Sequence, residues 1–198
     1  MMYIRNAWLA SLLCLAGLFG SCPSWAGPST DTPPVSAQAP KAEKPGNPPA
    51  TSSGLSPGLH VIIETDRGKL TLELFPEVAP KTVARFTELV KKGFYNGLTF
   101  HRVVPKFLVQ GGDPAGDGTG GSGKTIPAEF NERKHVAGTM GMARMRDPDS
   151  ADSQFYLCLE PQPFLDGKYT VFGQVVEGLE VLAKILENDV MRKVTLKS

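Results

Sequence analysis

Short apolar segments separated by glycine and proline dominate residues 59–198, and this pattern constrains the fold more than any other feature. They follow one another without the strand–helix alternation that builds parallel sheets. The pattern therefore favours a mainly β fold, a largely antiparallel sheet closed into a barrel. The five segments that lie between the two predicted helices are Thr99–Val104, Phe107–Gln110, Gly138–Ala143, Gln154–Leu159 and Val171–Val176.

The beginning of this region predicts a β-hairpin. Leu70, Leu72 and Leu74 alternate with polar residues, so the three leucines share one face of a strand. A turn at residues 66–68 connects this strand to another over Val61–Glu64.

Two helices are predicted. The first starts at Pro80, has apolar residues at helical spacing, and can end at Gly93 in the left-handed conformation. The second is predicted over Leu179–Glu187, with Leu182, Ile185 and Leu186 on one side and Asn188 as its stop.

The charge balance of residues 59–198 excludes some classes of partner. This region holds 18 of the chain's 21 basic residues and 18 of its 20 acidic residues, so it has no net charge. A neutral domain has no electrostatic attraction to nucleic acid or to an anionic membrane surface, so neither is an expected partner. Three cysteines are also too few for a small disulfide-stapled fold.

Residues 1–26 are typical of an export signal. Arg5 precedes the apolar run Ala7–Gly20, which is too short to remain as a membrane-spanning helix. Two processing routes stay open. Small residues at 24 and 26 allow cleavage after Ala26, whereas the residues before Cys22 are similar to a bacterial lipobox and would give a lipid anchor at Cys22. Both routes predict a periplasmic protein, either free or held at the membrane as a lipoprotein.

Residues 27–58 predict a disordered linker or a dispensable tail. They contain eight prolines and no aromatic residue, and so cannot bury enough apolar surface to fold. The expected organisation is a signal peptide over 1–26, a linker over 27–58 and one domain over 59–198. Cleavage after Ala26 would leave Cys158 as the sole cysteine, in an apolar run typical of a core residue.

Residues 118–125 match the phosphate-loop pattern G-x-x-x-x-G-K-[ST] but lack its structural context. A phosphate loop needs a strand before it and a helix N-terminus after it. Pro114 precedes and Pro127 follows the match, so we predict a flexible surface loop whose glycines adopt positive φ.

The sequence has no motif typical of metal binding or of acyl transfer. The three histidines, His60, His101 and His135, do not have the spacing of metal ligands. No G-x-S-x-G motif surrounds Ser150 or Ser153, so hydrolysis is disfavoured. No metal and no cofactor are expected.

The run Phe100–Asp113, FHRVVPKFLVQGGD, is far more specific than these motifs. It resembles the signature of the cyclophilin peptidyl-prolyl cis–trans isomerases almost position for position. Further matches follow in order at Met142-Ala143, Ser153–Tyr156, Leu165–Lys168 and Val171–Gly173. The resemblance extends from about Val61 to the C-terminus and implies an eight-stranded antiparallel barrel capped by two α-helices.

The resemblance also implies a chemistry. Amide resonance gives the X–Pro bond a rotation barrier of about 18–20 kcal/mol, and lowering it requires neither nucleophile nor cofactor. An apolar cup for the proline and a cation or donor that favours the twisted state are enough. By resemblance, Arg102 is the electrostatic group, Gln110 holds the substrate backbone and orients Arg102, and Phe107 completes the catalytic set.

The substrate-binding residues are likewise implied by the resemblance. Taken alone, Phe107 and Tyr156 would more often be core residues, and only the joint pattern favours a site. The proline pocket would be lined by Phe107, Leu108, Tyr156 and Leu165, and the peptide groove by Ala143, Arg144 and Gln154, with Phe155, Phe164 and Tyr169 completing the set.

Several positions depart from the family pattern. Phe164 stands where cyclosporin-sensitive members carry Trp, and Tyr169 stands where many have His. The lost indole N–H predicts weak cyclosporin binding. Tyr156 replaces the usual Phe and adds a hydroxyl at the pocket wall that needs water or a partner. Arg144 and Arg146 add cations at the groove rim, which predicts a preference for acidic residues flanking the proline.

The sequence thus predicts a monomeric prolyl isomerase that assists folding in the periplasm. Its expected partners are proline-containing peptides and unfolded or folding proteins. One alternative is a non-catalytic proline-peptide binding or chaperone module that uses the same groove. Another is a small-ligand carrier on an unrelated β-barrel, which would require a large internal cavity.

Overall fold

The computed structural model describes residues 58–197. The predicted signal peptide over 1–26 and nearly all of the predicted linker over 27–58 lie outside the described residues. Within 58–197, none of the helices has the length and apolar character needed to cross a bilayer.

The described chain forms one eight-stranded antiparallel sheet with two α-helices, which confirms the predicted mainly β fold. The strands are ordered β3-β4-β6-β5-β7-β2-β1-β8 in the sheet. In chain order the elements are β1 Leu59–Thr65, β2 Gly68–Leu74, α1 Pro80–Lys91, β3 Arg102–Val104, β4 Leu108–Gly111, β5 Thr139–Met142, β6 Phe155–Cys158, β7 Val171–Glu177, α2 Leu179–Leu182 and β8 Met191–Lys197.

The two edges of the sheet curl toward each other. Thr99, just before β3, forms an antiparallel bridge with Val190, just before β8. The Phe100 N–H donates to the Asp189 carbonyl at 2.9 Å, and the Met191 N–H donates to the carbonyl of Leu98 at 2.9 Å. These backbone hydrogen bonds bring the edge strands together, so the sheet forms a barrel.

The N-terminal hairpin forms as predicted. Strands β1 and β2 pair with Ile63 opposite Leu70 and Val61 opposite Leu72. Both leucines, together with Leu74, are buried in the barrel core. The alternation of apolar and polar residues in this segment therefore predicts correctly which side chains face the barrel interior.

Helix α1 also matches its prediction, with Pro80 at the first turn and Gly93 in the left-handed region (φ 69°) just after the helix. Its N-cap residue makes no side-chain hydrogen bond. The Glu129 carboxylate instead accepts hydrogen bonds from the N–H groups of Lys81 (3.0 Å) and Thr82 (2.8 Å). A distant acidic side chain thus satisfies the unpaired donors of the first turn and complements the helix dipole.

The second helix is shorter than predicted, because it ends at Leu182 and not at Glu187. Beyond it, the Lys184 N–H donates to a carbonyl three residues back, which tightens the chain out of α geometry. Asn188 then adopts a φ of 71°. Leu186, expected on the apolar side of the helix, is consequently 55% exposed.

Strand β8 was missed by the sequence patterns. Met191 and Val194 are buried while Arg192 and Lys193 between them are exposed. This burial pattern departs from strict alternation because of a bulge: Glu64 pairs with Lys193, but the next residue of β1 pairs with Met191. The extra residue breaks the period-2 alternation that identifies a strand.

Side chains fill the interior of the barrel. Phe100, Met140, Leu157 and Phe172 are fully buried there, in one apolar cluster with the inner face of α1. A packed interior contradicts the alternative of a ligand carrier built around an internal cavity. Cys158 is buried as predicted, but in a second apolar cluster outside the barrel interior. Burial raises the pKa of its thiol to about 12, so it is not a reactive thiolate.

Candidate active site

The candidate site lies on the outer face of the barrel and is set by the alternation of β4 and β6. Gln110 pairs with Tyr156 across these strands, and Leu108 pairs with Cys158. The intervening residues point into the barrel, so these four side chains share the opposite face. Three of them form a second apolar cluster, separate from the core, that also contains Leu165.

Phe155 does not belong to this face, which corrects its assignment as a substrate-binding residue. It precedes Tyr156 in β6 and therefore points the other way, into the barrel core, where it is fully buried. Its ring packs edge-on against Phe86 (centroids 5.6 Å apart) and Tyr95 (5.6 Å).

A chain of hydrogen bonds leads to the guanidinium of Arg102. Arg102 pairs with Gln110 between β3 and β4, and its Nη1 donates to Gln110 Oε1 at 3.2 Å. Gln110 Nε2 donates to Gln154 Oε1 at 2.8 Å. Gln154 Nε2 in turn donates to the carbonyl oxygens of Gly118 (3.0 Å) and Gly120 (2.8 Å). Each glutamine amide can satisfy these hydrogen bonds in only one orientation. The orientation of Arg102 therefore depends on the loop that contains Gly118 and Gly120.

Arg102 is itself exposed, so its remaining N–H groups are available to a ligand. Its Cζ lies 6.0 Å from the centroid of the Phe107 ring, within the range of a cation–π contact. Phe107 packs against the apolar cluster of the outer face. A permanent cation therefore stands at the edge of an apolar surface.

That apolar surface is an aromatic-walled cup. Phe107, Ala143 and Tyr169 pack around the buried Leu108, Tyr156 and Leu165. Phe164 stands at the rim, 58% exposed, with its ring centroid 5.7 Å from that of Phe107. The structure thus brings the four residues predicted for the proline pocket into one surface: Phe107, Leu108, Tyr156 and Leu165.

The hydroxyl of Tyr156 has the partner that the sequence predicted it would need. It lies 2.9 Å from Nε2 of His135, whose Nδ1 lies 2.9 Å from Oδ1 of Asp166. Burial acts to raise the pKa of Asp166, but hydrogen bonds from the His135 backbone and ring and the charge of Lys134 hold it below its ordinary value. His135 was not among the predicted site residues, although the extra hydroxyl of Tyr156 indicated the need for a partner.

Space for this hydroxyl comes from Gly141, which lies directly opposite Tyr156 across β5 and β6. A Cβ at position 141 would lie 2.8 Å from Cε2 of the tyrosine and closer still to its Oη. The observed position of the Tyr156 ring therefore requires glycine at position 141.

Arg144 is less free than its place on the groove rim suggested. Its Nη1 donates to the carbonyl of Met145 (2.9 Å) and its Nη2 to the carbonyl of Lys168 (2.9 Å). Its Cζ lies 4.6 Å from the ring centroid of Tyr169. Arg144 thus braces the wall of the cup, while Arg146 is exposed.

The segment that matches a phosphate loop lines a pocket of about 280 Å³ next to the cup. No helix follows the segment, and Ile126 bridges Ala151 instead, so it is not a nucleotide site. Gly118 and Gly123 adopt positive φ, as predicted, whereas Gly120 and Gly121 do not. Carboxylates hold both ends of the segment: Asp113 accepts the N–H group of Gly118, and Asp152 accepts those of Gly123 and Lys124.

Comparisons with known proteins agree with this geometry. The family model described as "Cyclophilin type peptidyl-prolyl cis-trans isomerase/CLD" matches residues 60–198. A peptidyl-prolyl cis-trans isomerase of Synechococcus elongatus is 49% identical over 130 residues, covering 65% of this chain and 89% of that protein. Peptidyl-prolyl cis-trans isomerase B of Bacillus subtilis is 49% identical over 134 residues, covering 67% and 93%.

A solved structure shows the same similarity. The crystal structure of a Cryptosporidium parvum cyclophilin-type peptidyl-prolyl cis-trans isomerase, obtained in the presence of the dipeptide Ala-Pro, superposes with a TM-score of 0.66. It is 30% identical, and the match covers 70% of this chain and 99% of that one.

Proposed function

Since this chain belongs to the family of cyclophilin-type peptidyl-prolyl cis–trans isomerases, and is thus an isomerase of X–Pro peptide bonds, we propose that Arg102, Gln110 and Phe107 carry the catalytic step. The observation that supports this assignment is the hydrogen-bond chain from the loop through Gln154 and Gln110 to an exposed guanidinium beside an apolar cup.

In the proposed mechanism, the proline ring packs in the cup formed by Phe107, Leu108, Tyr156 and Leu165. Rotation about the X–Pro bond breaks amide resonance, which leaves a lone pair on the prolyl nitrogen and displaces the carbonyl oxygen. The N–H groups of Arg102 engage one of these atoms more strongly in the twisted state than in either planar state. This difference lowers the barrier without a proton transfer.

Arg102→Lys tests the role of the guanidinium. Lysine keeps the positive charge but loses the planar fork and the directed hydrogen bond to Gln110. We expect kcat/KM for a short X–Pro peptide to fall by about tenfold or more. Arg192→Lys is the matched control, because Arg192 lies in β8 and its guanidinium forms an exposed ion pair with Asp66. Parent-like kcat/KM in Arg102→Lys would contradict the proposed role.

The proposed substrates are proline-containing peptides and unfolded or folding proteins. The Ala-Pro dipeptide used with the Cryptosporidium parvum relative supports binding of this class of ligand. A preference for acidic residues near the proline now rests chiefly on Arg146, since Arg144 donates to backbone carbonyls. A peptide panel assayed with the parent and Arg146→Gln tests it: the preference should weaken in the variant, and a flat parent profile would contradict it.

We further propose that the protein is a monomer that acts in the periplasm, either free or lipid-anchored. The support is the sequence of residues 1–26. Expression of the full chain in a bacterial host, followed by fractionation and intact mass measurement, distinguishes the routes. Cleavage after Ala26 leaves an unmodified soluble chain, whereas lipidation gives a membrane-bound chain that becomes unmodified in Cys22→Ser. A full-length cytoplasmic chain would overturn the proposal. Sedimentation of the purified chain tests the monomer, and a dimer mass would contradict it.

A further inference from the structure

Helix α1 carries a buried arginine that belongs to neither the barrel core nor the groove. The Arg85 side chain is 9% exposed. Its Nη1 donates to Glu88 Oε2 at 2.9 Å, one turn along the same helix. Burying a guanidinium costs several kcal/mol unless its hydrogen bonds and charge are well partnered. The remaining contacts of Arg85 therefore indicate why it is there.

The other end of the guanidinium reaches the glycine-rich loop. Arg85 Nη2 donates to Oγ of Ser122 at 2.6 Å. The Ser122 hydroxyl donates in turn to the carboxylate of Asp152. Ser122 thus bridges a buried cation and an anion from two different parts of the chain, 37 and 30 residues away.

Asp152 extends this anchor along the loop. Its Oδ2 accepts hydrogen bonds from the N–H groups of Gly123 (2.8 Å) and Lys124 (3.2 Å). A Cβ at Gly121 would lie 2.5 Å from the same oxygen, so the loop passes as close to the carboxylate as glycine allows. Arg85, Ser122 and Asp152 form what we call the loop clamp.

The loop that this clamp holds is also the start of the hydrogen-bond series that orients Arg102. The carbonyls of Gly118 and Gly120 accept the Gln154 amide, which holds Gln110, which holds Arg102. Every step from Arg85 to Arg102 is therefore a hydrogen bond or a short stretch of loop backbone. Five residues of the segment 118–125 also line the pocket beside the cup: Gly118, Thr119, Gly120, Gly121 and Thr125.

We propose that Arg85 is a positioning residue for isomerisation: through Ser122 and Asp152 it fixes the loop, and through the loop it sets the orientation of Gln154, Gln110 and Arg102. The inference rests on the proposed role of Arg102. It adds a contribution to catalysis from a helix residue that touches no substrate.

Arg85→Gln and Ser122→Ala in the full chain test the proposal. Each should lower kcat/KM for a short X–Pro peptide by about three- to tenfold, mainly through kcat. The side-chain amide NMR signals of Gln110 and Gln154 should shift in both variants. Glu88→Gln is the matched control, because it removes the negative charge of the other partner of Arg85 and leaves the loop contact in place. Its kcat/KM should stay within twofold of the parent.

A double variant with Arg102→Ala shows whether Ser122 acts by positioning Arg102 or only by stabilising the fold. In an Arg102→Ala background, Ser122→Ala should cause no further loss of exchange rate, since the group being positioned is gone. A further loss by the same factor as in the parent would overturn the proposal. So would parent-like kcat and amide signals in a folded Ser122→Ala chain, even if Arg85→Gln fails to fold.

Arg102→Ala measured alone distinguishes this inference from the function on which it rests. If Arg102→Ala keeps parent activity, the proposed catalytic role fails. If Arg102→Ala is inactive but both clamp variants are parent-like, only the clamp proposal fails.

Discussion

Gly141→Ala is predicted to destabilise the fold and distort the proline cup, although it adds only one methyl group. The φ of Gly141 is not in the left-handed region, so alanine fits the backbone. The added Cβ would lie 2.8 Å from Cε2 of Tyr156 and closer still to its Oη, which no real Cβ contact tolerates. The ring must therefore move, and it is 3% exposed and hydrogen-bonded to His135.

The expected cost follows from three contributions. Overpacking a buried site costs about 1–3 kcal/mol. Displacing the tyrosine loses the hydrogen bond to His135, worth about 1 kcal/mol. Replacing glycine by alanine returns about 0.4–1 kcal/mol, because the unfolded chain becomes less free. The net destabilisation is about 2 kcal/mol, which corresponds to a fall in Tm of about 6 °C for a domain of this size.

A double-mutant cycle with Tyr156→Phe identifies the cause. Without the hydroxyl the ring is no longer tied to His135 and can tilt away from the new methyl group. Gly141→Ala should therefore cost at least about 1 kcal/mol less in the Tyr156→Phe background than in the parent. Urea unfolding of the four chains measures the cycle, and kcat/KM reports the cup. Additive free energies, or a Gly141→Ala chain as stable as the parent, would refute this reasoning.

Three further predictions follow from particular contacts. Asp113→Ala should destabilise the fold by about 3 kcal/mol in urea unfolding, because the buried carboxylate accepts three backbone N–H groups that would lose their partner; unchanged stability contradicts this. Hydrogen bonds from Lys92 and Arg85 hold the pKa of Glu88 at about 2, below its ordinary 4.5, so its stabilising effect is present above pH 4.5 and is lost as pH falls toward 2. Unfolding measured from pH 6 to pH 2 should show this loss in the parent and not in a variant with glutamine at position 88, and identical curves would argue against it. Phe164→Trp restores an indole N–H at the rim and should tighten cyclosporin binding by about tenfold in calorimetry, whereas an unchanged affinity would sink the explanation.

The elements that could be predicted from sequence are those fixed by local patterns. The hairpin follows from the alternation of Leu70 and its neighbours, and α1 follows from Pro80 and Gly93 at its two ends. The end of α2 could not be predicted locally, because Ile185 and Leu186 continue the helical spacing of Leu182 although the helix ends at Leu182. Strand β8 was hidden by a bulge that breaks its alternation.

The candidate site also has parts that could be predicted from the sequence and parts that could not. Resemblance supplied the residues, but only the register of β4 and β6 shows that Tyr156 faces the groove and Phe155 the core. Strand alternation could have separated these two. The partners of Tyr156 and Arg85 could not be inferred, because His135 and Ser122 are distant in sequence and are brought close only by the folded barrel.

The proposed function depends on the guanidinium of Arg102, which should accelerate X–Pro rotation in this groove. The most direct measurement is the cis–trans exchange rate of an Ala-Pro peptide by NMR, with peptide affinity determined in the same samples, for the parent and Arg102→Ala. Arg102 is exposed, so the substitution should change stability by no more than about 0.5 kcal/mol. Catalysed exchange should fall by about a hundredfold or more in Arg102→Ala, with the peptide still bound. Exchange at the parent rate in a folded Arg102→Ala chain would contradict it.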